Sequence, residues 1–254
     1  MVSIKNEEDI ALLREGGKHL ACILEELATL VRPGVRTMEL EEAARAAIAR
    51  AGDTPSFLGY QAEGMGTPYP AALCTSVNNE VVHGIPGDRV LVDGDIIGLD
   101  LGLVHTGMYL DSALTVPVGK ISKELKELLQ VTEEALAAGI AVARPGAHTG
   151  DIGAAVAAVA KAHHYKIIKE LSGHGVGYAV HEAPEVPNYG RAGEGEELIA
   201  GMVIAIEPMF SFSDSSVEVA PDGFTFRTVN GSASAHAEHT VLITSSGSDI
   251  LTLV

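Results

Sequence analysis

The feature that most constrains the fold is an internal repeat. The segment Arg32-Pro33-Gly34-x-x-Thr37-x-x-Leu40 recurs as Arg144-Pro145-Gly146-x-x-Thr149-x-x-Ile152, 112 residues later. Each copy separates two helical patterns. In the first, Ile10, Leu13, Leu20, Ile23, Leu24, Leu27 and Leu30 recur at helical spacing before Arg32, and Thr37 is expected to cap an Ala-rich helix reaching about Ala51. In the second, Leu125, Leu128, Leu129, Leu136 and Ile140 precede Arg144, and Thr149 is expected to cap a helix ending near Ala162. The match continues downstream. Val82-His83-Gly84-Ile85-Pro86 pairs with Val180-His181-Glu182-Ala183-Pro184, and Leu91-x-x-Gly94 before Leu99-Asp100 pairs with Leu198-x-x-Gly201 before Ile206-Glu207. Chance can supply one such match; four in the same order indicate a duplicated helix–helix–sheet unit. The period is too long for a solenoid. One domain over 1–254 is expected, with pseudo-symmetric halves of about 1–118 and 119–254, the sheets meeting at a pseudo-twofold axis and helices outside.

Within this frame one stretch stands out, Gly98 to Asp111. It reads as two strands, 96–104 and 109–116, joined by a turn at Thr106-Gly107. Each strand carries one carboxylate among apolar neighbours, Asp100 and Asp111. A buried aspartate is costly unless it is paired, hydrogen-bonded or metal-bound, and two on adjacent strands repel unless a cation lies between them. Aspartates capping strand ends would look the same in isolation. Further polar residues in apolar strand contexts tip the balance: His174, Glu207 and Glu238, with His83 and His181 nearby. Four carboxylates and one imidazole in a single pocket require roughly two divalent cations for charge balance. Oxygen-rich ligation with one imidazole favours Mn²⁺, Fe²⁺ or Co²⁺ over thiolate-rich zinc sites. Such a centre suits activation of water and polarisation of a carbonyl, which is hydrolytic chemistry.

Other function classes are disfavoured. A net charge of −17 argues against a nucleic-acid groove or an anionic membrane surface. Hydrophobic content of 46% against 20% charged residues is that of a globular chain. The two cysteines, Cys22 and Cys74, lack metal-type spacing and form no disulfide framework, so a reducing cytoplasm is expected. No secretory signal and no apolar run of membrane-spanning length is evident. His181-Glu182 resembles a helical zinc-protease motif only superficially, because the final His is missing and Pro184 would break the helix. His19, His105, His148, His163, His164 and His239 are read as surface or structural, and His236 as a neighbour of the ligand set.

On these residues the chain resembles the type I methionine aminopeptidases, single-domain metallopeptidases of α+β pita-bread fold. The resemblance rests on Asn78-Asn79-Glu80-Val81-Val82-His83, on Asp100 and Asp111, on Gly173-His174-Gly175-Val176-Gly177 with His181, on Ile206-Glu207-Pro208-Met209, and on Glu238-His239-Thr240. It covers essentially the whole chain. It implies removal of the initiator methionine from nascent polypeptides with a small second residue, by attack of a metal-bridging water on the first peptide bond. It further implies two divalent ions (Mn, Fe, Co or Zn), one held by Asp100, both bridged by Asp111 and Glu238, and the other completed by His174 and Glu207. Glu207 would also shuttle a proton, His181 would bond the scissile carbonyl, and His83 would serve the amine side. Tyr60, Tyr69, Cys74 and Phe224 fall at methionine-pocket positions, Phe224 where Trp is common. Val180, where Phe is frequent, and a loop lengthened over 61–68 are departures that bear on stringency for methionine. A monomer is expected, acting on nascent N-termini with possible ribosome association and without direct contact to nucleic acid or membrane. The nearest rivals are a prolidase or aminopeptidase P relative and a non-catalytic binding module. The first usually carries an extra N-terminal domain, and the second typically lacks some of the five ligands present here.

Overall fold

A computed structural model of the chain describes residues 2–61, 66–213 and 215–254, and its α+β architecture is built almost wholly from local signals. Helix α1 (Glu7–Leu30) starts at Asn6, whose side chain accepts the Glu8 and Asp9 amides while Asp9 reaches back to the Asn6 amide. Helix α2 (Thr37–Ala51) ends at Gly52 in the left-handed region. The first-half strands are β1 (Thr54–Pro55), β2 (Leu73–Val77), β3 (Glu80–Val82), β4 (Ile96–His105) and β5 (Met108–Pro117). Helices α3 (Lys123–Val142) and α4 (Thr149–Ala162) follow. Then come β6 (Lys166–Ile167), β7 (Ser172–Gly175), β8 (Glu182–Pro187), β9 (Val203–Ile206) and β10 (Met209–Ser211). Strands β11 (Val217–Val219), β12 (Phe226–Thr228), β13 (Ser234–His236), β14 (His239–Ile243) and β15 (Ser248–Ile250) complete the chain.

The two larger sheets are antiparallel. In one, β4 pairs with β1 and β2 along one edge and with β5 along the other; the second runs β15-β14-β9-β7-β8. The β4–β5 hairpin closes on Thr106 and Gly107, both at positive φ, as a two-residue loop between twisted strands requires. Along β4, Ile97, Leu99, Leu101 and Leu103 pack with Leu20, Leu24 and Leu27 of α1. The alternate positions, Gly98, Asp100 and Gly102, therefore face away from the helices. In the second half Leu136 and Ile152 of α3 and α4 meet Ile204 and Ile206 of β9 in the same way.

Matched hydrogen bonds occur in the two halves. The Gly34 amide donates to Leu91 and the Leu91 amide to Val35; likewise Gly146 donates to Leu198 and Leu198 to Ala147. One expectation is corrected here. Thr37 and Thr149 are the first helical residues, not the caps, which are Arg36 and His148. The Arg36 and His148 amides are taken by the Glu39 and Asp151 carboxylates three residues on. The threonine hydroxyls are instead spent across the fold, Thr37 accepting the Gly87 amide and Thr149 the Glu196 amide. A hydroxyl at a helix start has two possible clients, and the preceding β-bridges Arg36–Val90 and His148–Glu197 bring the distant one within reach.

The sheets meet at one seam. Ala113 and Glu238 exchange backbone hydrogen bonds, the Ser112 hydroxyl donates to the Glu238 carbonyl, and Thr240 Oγ1 donates to the Asp111 carbonyl at 2.6 Å. These bonds fix one acidic residue from each half beside the other.

Candidate metal centre and active site

Each sequence-predicted ligand projects from a rigid element into one cavity. Asp100 comes from β4, Asp111 from β5, His174 from β7, Glu207 from the end of β9, and Glu238 from the seam before β14. All five are buried. The glycines around His174 have a steric reason: a Cβ on Gly173 would lie 2.3 Å from the Ala205 carbonyl oxygen, and one on Gly175 2.2 Å from that of Ala183. Only glycine lets these backbones close around the imidazole. Glu207 is further anchored by Asn188, whose side-chain amide donates to its carbonyl at 2.9 Å.

The electrostatics call for a cation. Asp111, His174 and Glu238 each offer a ligand atom within 4.8 Å of the others. Asp100 Oδ1, Asp111 Oδ1 and Glu238 Oε1 are buried without any hydrogen-bond partner. The His174 Nδ1 faces the Gly175 carbonyl at 2.9 Å, which makes Nδ1 a donor and turns Nε2 toward Glu207 (3.5 Å) and Asp111 (3.9 Å). Burial is the main cause that pushes Asp100 up to about 7, with His236 opposing the shift and Glu207 adding to it. Burial likewise lifts Asp111 and Glu238 well above the carboxylate range, reinforced by their mutual repulsion with Asp100 and Glu207. Oxygen donors of this number with one imidazole fit a hard or borderline divalent ion.

The cavity, about 100 Å³, continues into an apolar pocket. Tyr60, Tyr69, Cys74, His83, His181 and Phe224 line it, as expected, together with Phe57 and Val82, which the sequence did not single out. Phe57 lies in a loop segment with no periodicity to mark it. Val180 does not line the cavity but packs behind it against the cluster of Phe57, Tyr69, Cys74 and Phe224. Tyr69 and Phe224 meet edge to face at 5.4 Å, and the Tyr69 hydroxyl donates to the Gly84 carbonyl at 3.0 Å. Cys74 is opposite Asp100 in the β2–β4 register, so its thiol borders the acidic cluster; burial pushes that thiol up and keeps it neutral. Of the lengthened loop over 61–68, residues 62–65 lie outside the described residues.

Two further histidines line the cavity beside the acidic group. His83 sits just after β3 at φ +60°, a strained conformation for a non-glycine residue, and burial lowers its pKa to about 4. His181 stands at the exposed cavity mouth, 4.3 Å ring to ring from His174. Its pKa is lowered by the protein packed around it and by the His174 and His83 rings. The Tyr60 hydroxyl lies 2.8 Å from its Nδ1. Glu182 opens strand β8, so the superficial zinc-protease motif is not helical. His236, buried behind the ligands, places Nε2 3.5 Å from Glu207 and 3.9 Å from Glu238.

Comparison with known proteins agrees with this geometry. The sequence profile of metallopeptidase family M24 matches residues 11–245. The methionine aminopeptidase of Clostridium perfringens is 43% identical and methionine aminopeptidase 1 of Bacillus subtilis 42%, each alignment covering all of both chains. The crystal structure of methionine aminopeptidase from Thermotoga maritima superposes with a TM-score of 0.96 at 39% identity, covering both chains completely. The prolidase of Pyrococcus furiosus shares the fold at a TM-score of 0.78, with 22% identity, and this chain spans 65% of its length. Among the described residues no helix is long and apolar enough to cross a membrane. The fold is the α+β pita-bread fold of these metallopeptidases. The chain belongs to metallopeptidase family M24 and, within it, to the methionine aminopeptidases.

Proposed function

We propose that the chain is a dinuclear metalloaminopeptidase releasing the N-terminal methionine of polypeptides whose second residue is small. The observation that carries this reading is the convergence of four buried carboxylates, three with unpartnered oxygens, and one imidazole beside an apolar pocket. Asp100 would hold one ion, Asp111 and Glu238 both, and His174 with Glu207 the other, the metal being Mn, Fe, Co or Zn. Bound ions supply Lewis acidity, which lowers the pKa of water and polarises a carbonyl.

The remaining work falls to this chain's own side chains. Tyr60, donating its O–H to His181 Nδ1, leaves the His181 proton on Nε2, where it can bond the oxyanion that develops on the scissile carbonyl. The neutral His83 would bond the substrate amine and assist its proton transfer. Glu207 would carry a proton toward the leaving amine. Tyr69, Cys74, Phe224 and Phe57 offer an apolar, aromatic wall suited to a polarizable thioether. Val180 behind that wall is smaller than the Phe common in the family and leaves the wall room to shift.

We read residues 1–254 as one catalytic domain with halves of about 1–118 and 119–254, supported by the matched hydrogen bonds at Leu91 and Leu198. The natural setting is a reducing cytoplasm, consistent with two free cysteines. There a monomer would meet nascent N-termini, in association with the ribosome that presents them. The test is release of free methionine from Met-Ala-Ser, Met-Lys-Ser and Leu-Ala-Ser. Release from Met-Ala-Ser at a rate at least about tenfold above the other two is expected, since a missing pocket contact is worth about 1–3 kcal/mol. Cleavage of Leu-Ala-Ser at a comparable rate would make the enzyme a broad aminopeptidase instead.

A further inference from the structure

We infer a second metal site, separate from the catalytic cavity, at His19, Asp53 and His105, which takes one late first-row divalent ion such as Zn²⁺. His105 Nδ1 lies 2.7 Å from one Asp53 carboxylate oxygen and His19 Nδ1 2.8 Å from the other. One ligand atom from each of the three lies within 4.8 Å of the others. The site is empty. Asp53 is only 2% exposed at its side chain, His105 12% and His19 32%, so the carboxylate is buried and one face opens to solvent.

The three residues come from three elements. His19 is on α1, Asp53 lies between α2 and β1, and His105 ends β4. His105 is an odd number of positions from Asp100 on the same strand, so it leaves the opposite face of the sheet. None of the three lines the catalytic cavity. The backbone approach is close, since a Cβ on Gly16 of α1 would lie 2.6 Å from His105 Cβ.

The chemistry suits a cation better than a plain hydrogen-bonded clasp. Two imidazoles turn Nδ1 toward the oxygens of one carboxylate. For a metal to enter, both Nδ1 atoms give up their protons, to Nε2 or to solvent, leaving two Nδ1 lone pairs and a carboxylate oxygen as ligands. His105 Nε2 then donates toward the Glu15 carboxylate, already 3.7 Å away. A metal-bound imidazole usually has such a partner on its other nitrogen. Asp53 and Glu15 together carry the two negative charges that one divalent ion neutralises. A tetrahedral site with bonds of about 2 Å spaces its ligand atoms about 3.3 Å apart, and each Nδ1 now lies 2.7 or 2.8 Å from its own Asp53 oxygen, so both rings move outward to admit an ion. Solvent at the exposed His19 side completes the coordination. The N₂O donor set favours Zn²⁺, Ni²⁺ or Cu²⁺ over Mg²⁺ or Ca²⁺.

The experiment is equilibrium dialysis of the full chain, His19→Ala and Asp53→Asn against Zn²⁺ at neutral pH, with metal counted per chain. Asp53→Asn keeps the shape, its oxygen accepting from one ring and its amide donating to the other once that ring carries its proton on Nε2, which guards against misfolding. Wild type should retain one zinc more than either variant, and long-range ¹⁵N spectra should show His19 and His105 changing from Nδ1–H to Nε2–H on loading. Peptidase activity, assayed with Mn²⁺ on metal-stripped protein, should be the same in all three. Equal zinc in all three, with unchanged imidazole spectra, would overturn the site and leave a hydrogen-bonded clasp of helix to sheet.

Discussion

Replacing Asp111 with Asn lowers metal-dependent methionine release by about 10³-fold or more, beyond the 10–100-fold expected for a residue that only orients a ligand. Asp111 is proposed to touch both ions, and a neutral amide cannot replace the charge that holds them. The fold should survive, because the Asp111 backbone keeps its bonds to Thr240 on both its amide and its carbonyl. A further consequence separates loss of function from loss of structure. In metal-free protein Asp111 is a buried carboxyl crowded by Asp100 and Glu207. Those neighbours and burial hold it protonated, so folding at neutral pH must take up a proton that an amide does not need, and the inactive variant should melt higher than wild type after chelation. Thermal melts in excess chelator, set beside kcat and metal content, check all three. A variant with wild-type kcat would remove Asp111 from the ligand set.

Metal-free protein should also gain stability on acidification, the reverse of the loaded enzyme. Asp100 titrates near 7 in the folded chain, against about 3.9 when unfolded. Asp111 and Glu238 are raised as well. Between those values the folded state binds protons that the unfolded state does not, so stability falls as pH rises. The contribution is fully present below about pH 4 and is lost as pH passes through the folded value near 7. For a chain of this size each kcal/mol moves Tm by about 2–4 °C. A chelated sample should therefore melt several degrees higher at pH 5 than at pH 8. Loaded enzyme should lose stability toward pH 5, because protons compete with the ions. The overall charge of −17 is also relieved by acid, so Asp111→Asn serves as the control and should show a shallower pH slope. An unchanged slope in that variant would place the effect outside the cluster.

Much of this site is legible in sequence because it is built from strands. An aspartate on β4 or a glutamate ending β9 is conspicuous among isoleucines and leucines, and the repeat shows which half each came from. The β4–β5 hairpin was readable to within a residue at each end from its apolar runs and Thr-Gly turn. What escapes is decided by distance in the chain. Thr37 looks like a cap until Gly87, 50 residues on, takes its hydroxyl. Phe57 joins the pocket from a loop with no period. His19, Asp53 and His105 are unremarkable one at a time, and only the packing of α1 on β4 assembles them.

The most direct test of the metal centre is add-back to stripped protein. The chain is chelated, freed of chelator, and assayed for methionine release from Met-Ala-Ser with Mn²⁺, Fe²⁺, Co²⁺ or Zn²⁺ supplied singly. The stripped protein should show no turnover, and at least one of these ions should restore it. Turnover that persists in verified metal-free protein, or its absence in protein shown to carry bound metal, would contradict a catalytic metal centre.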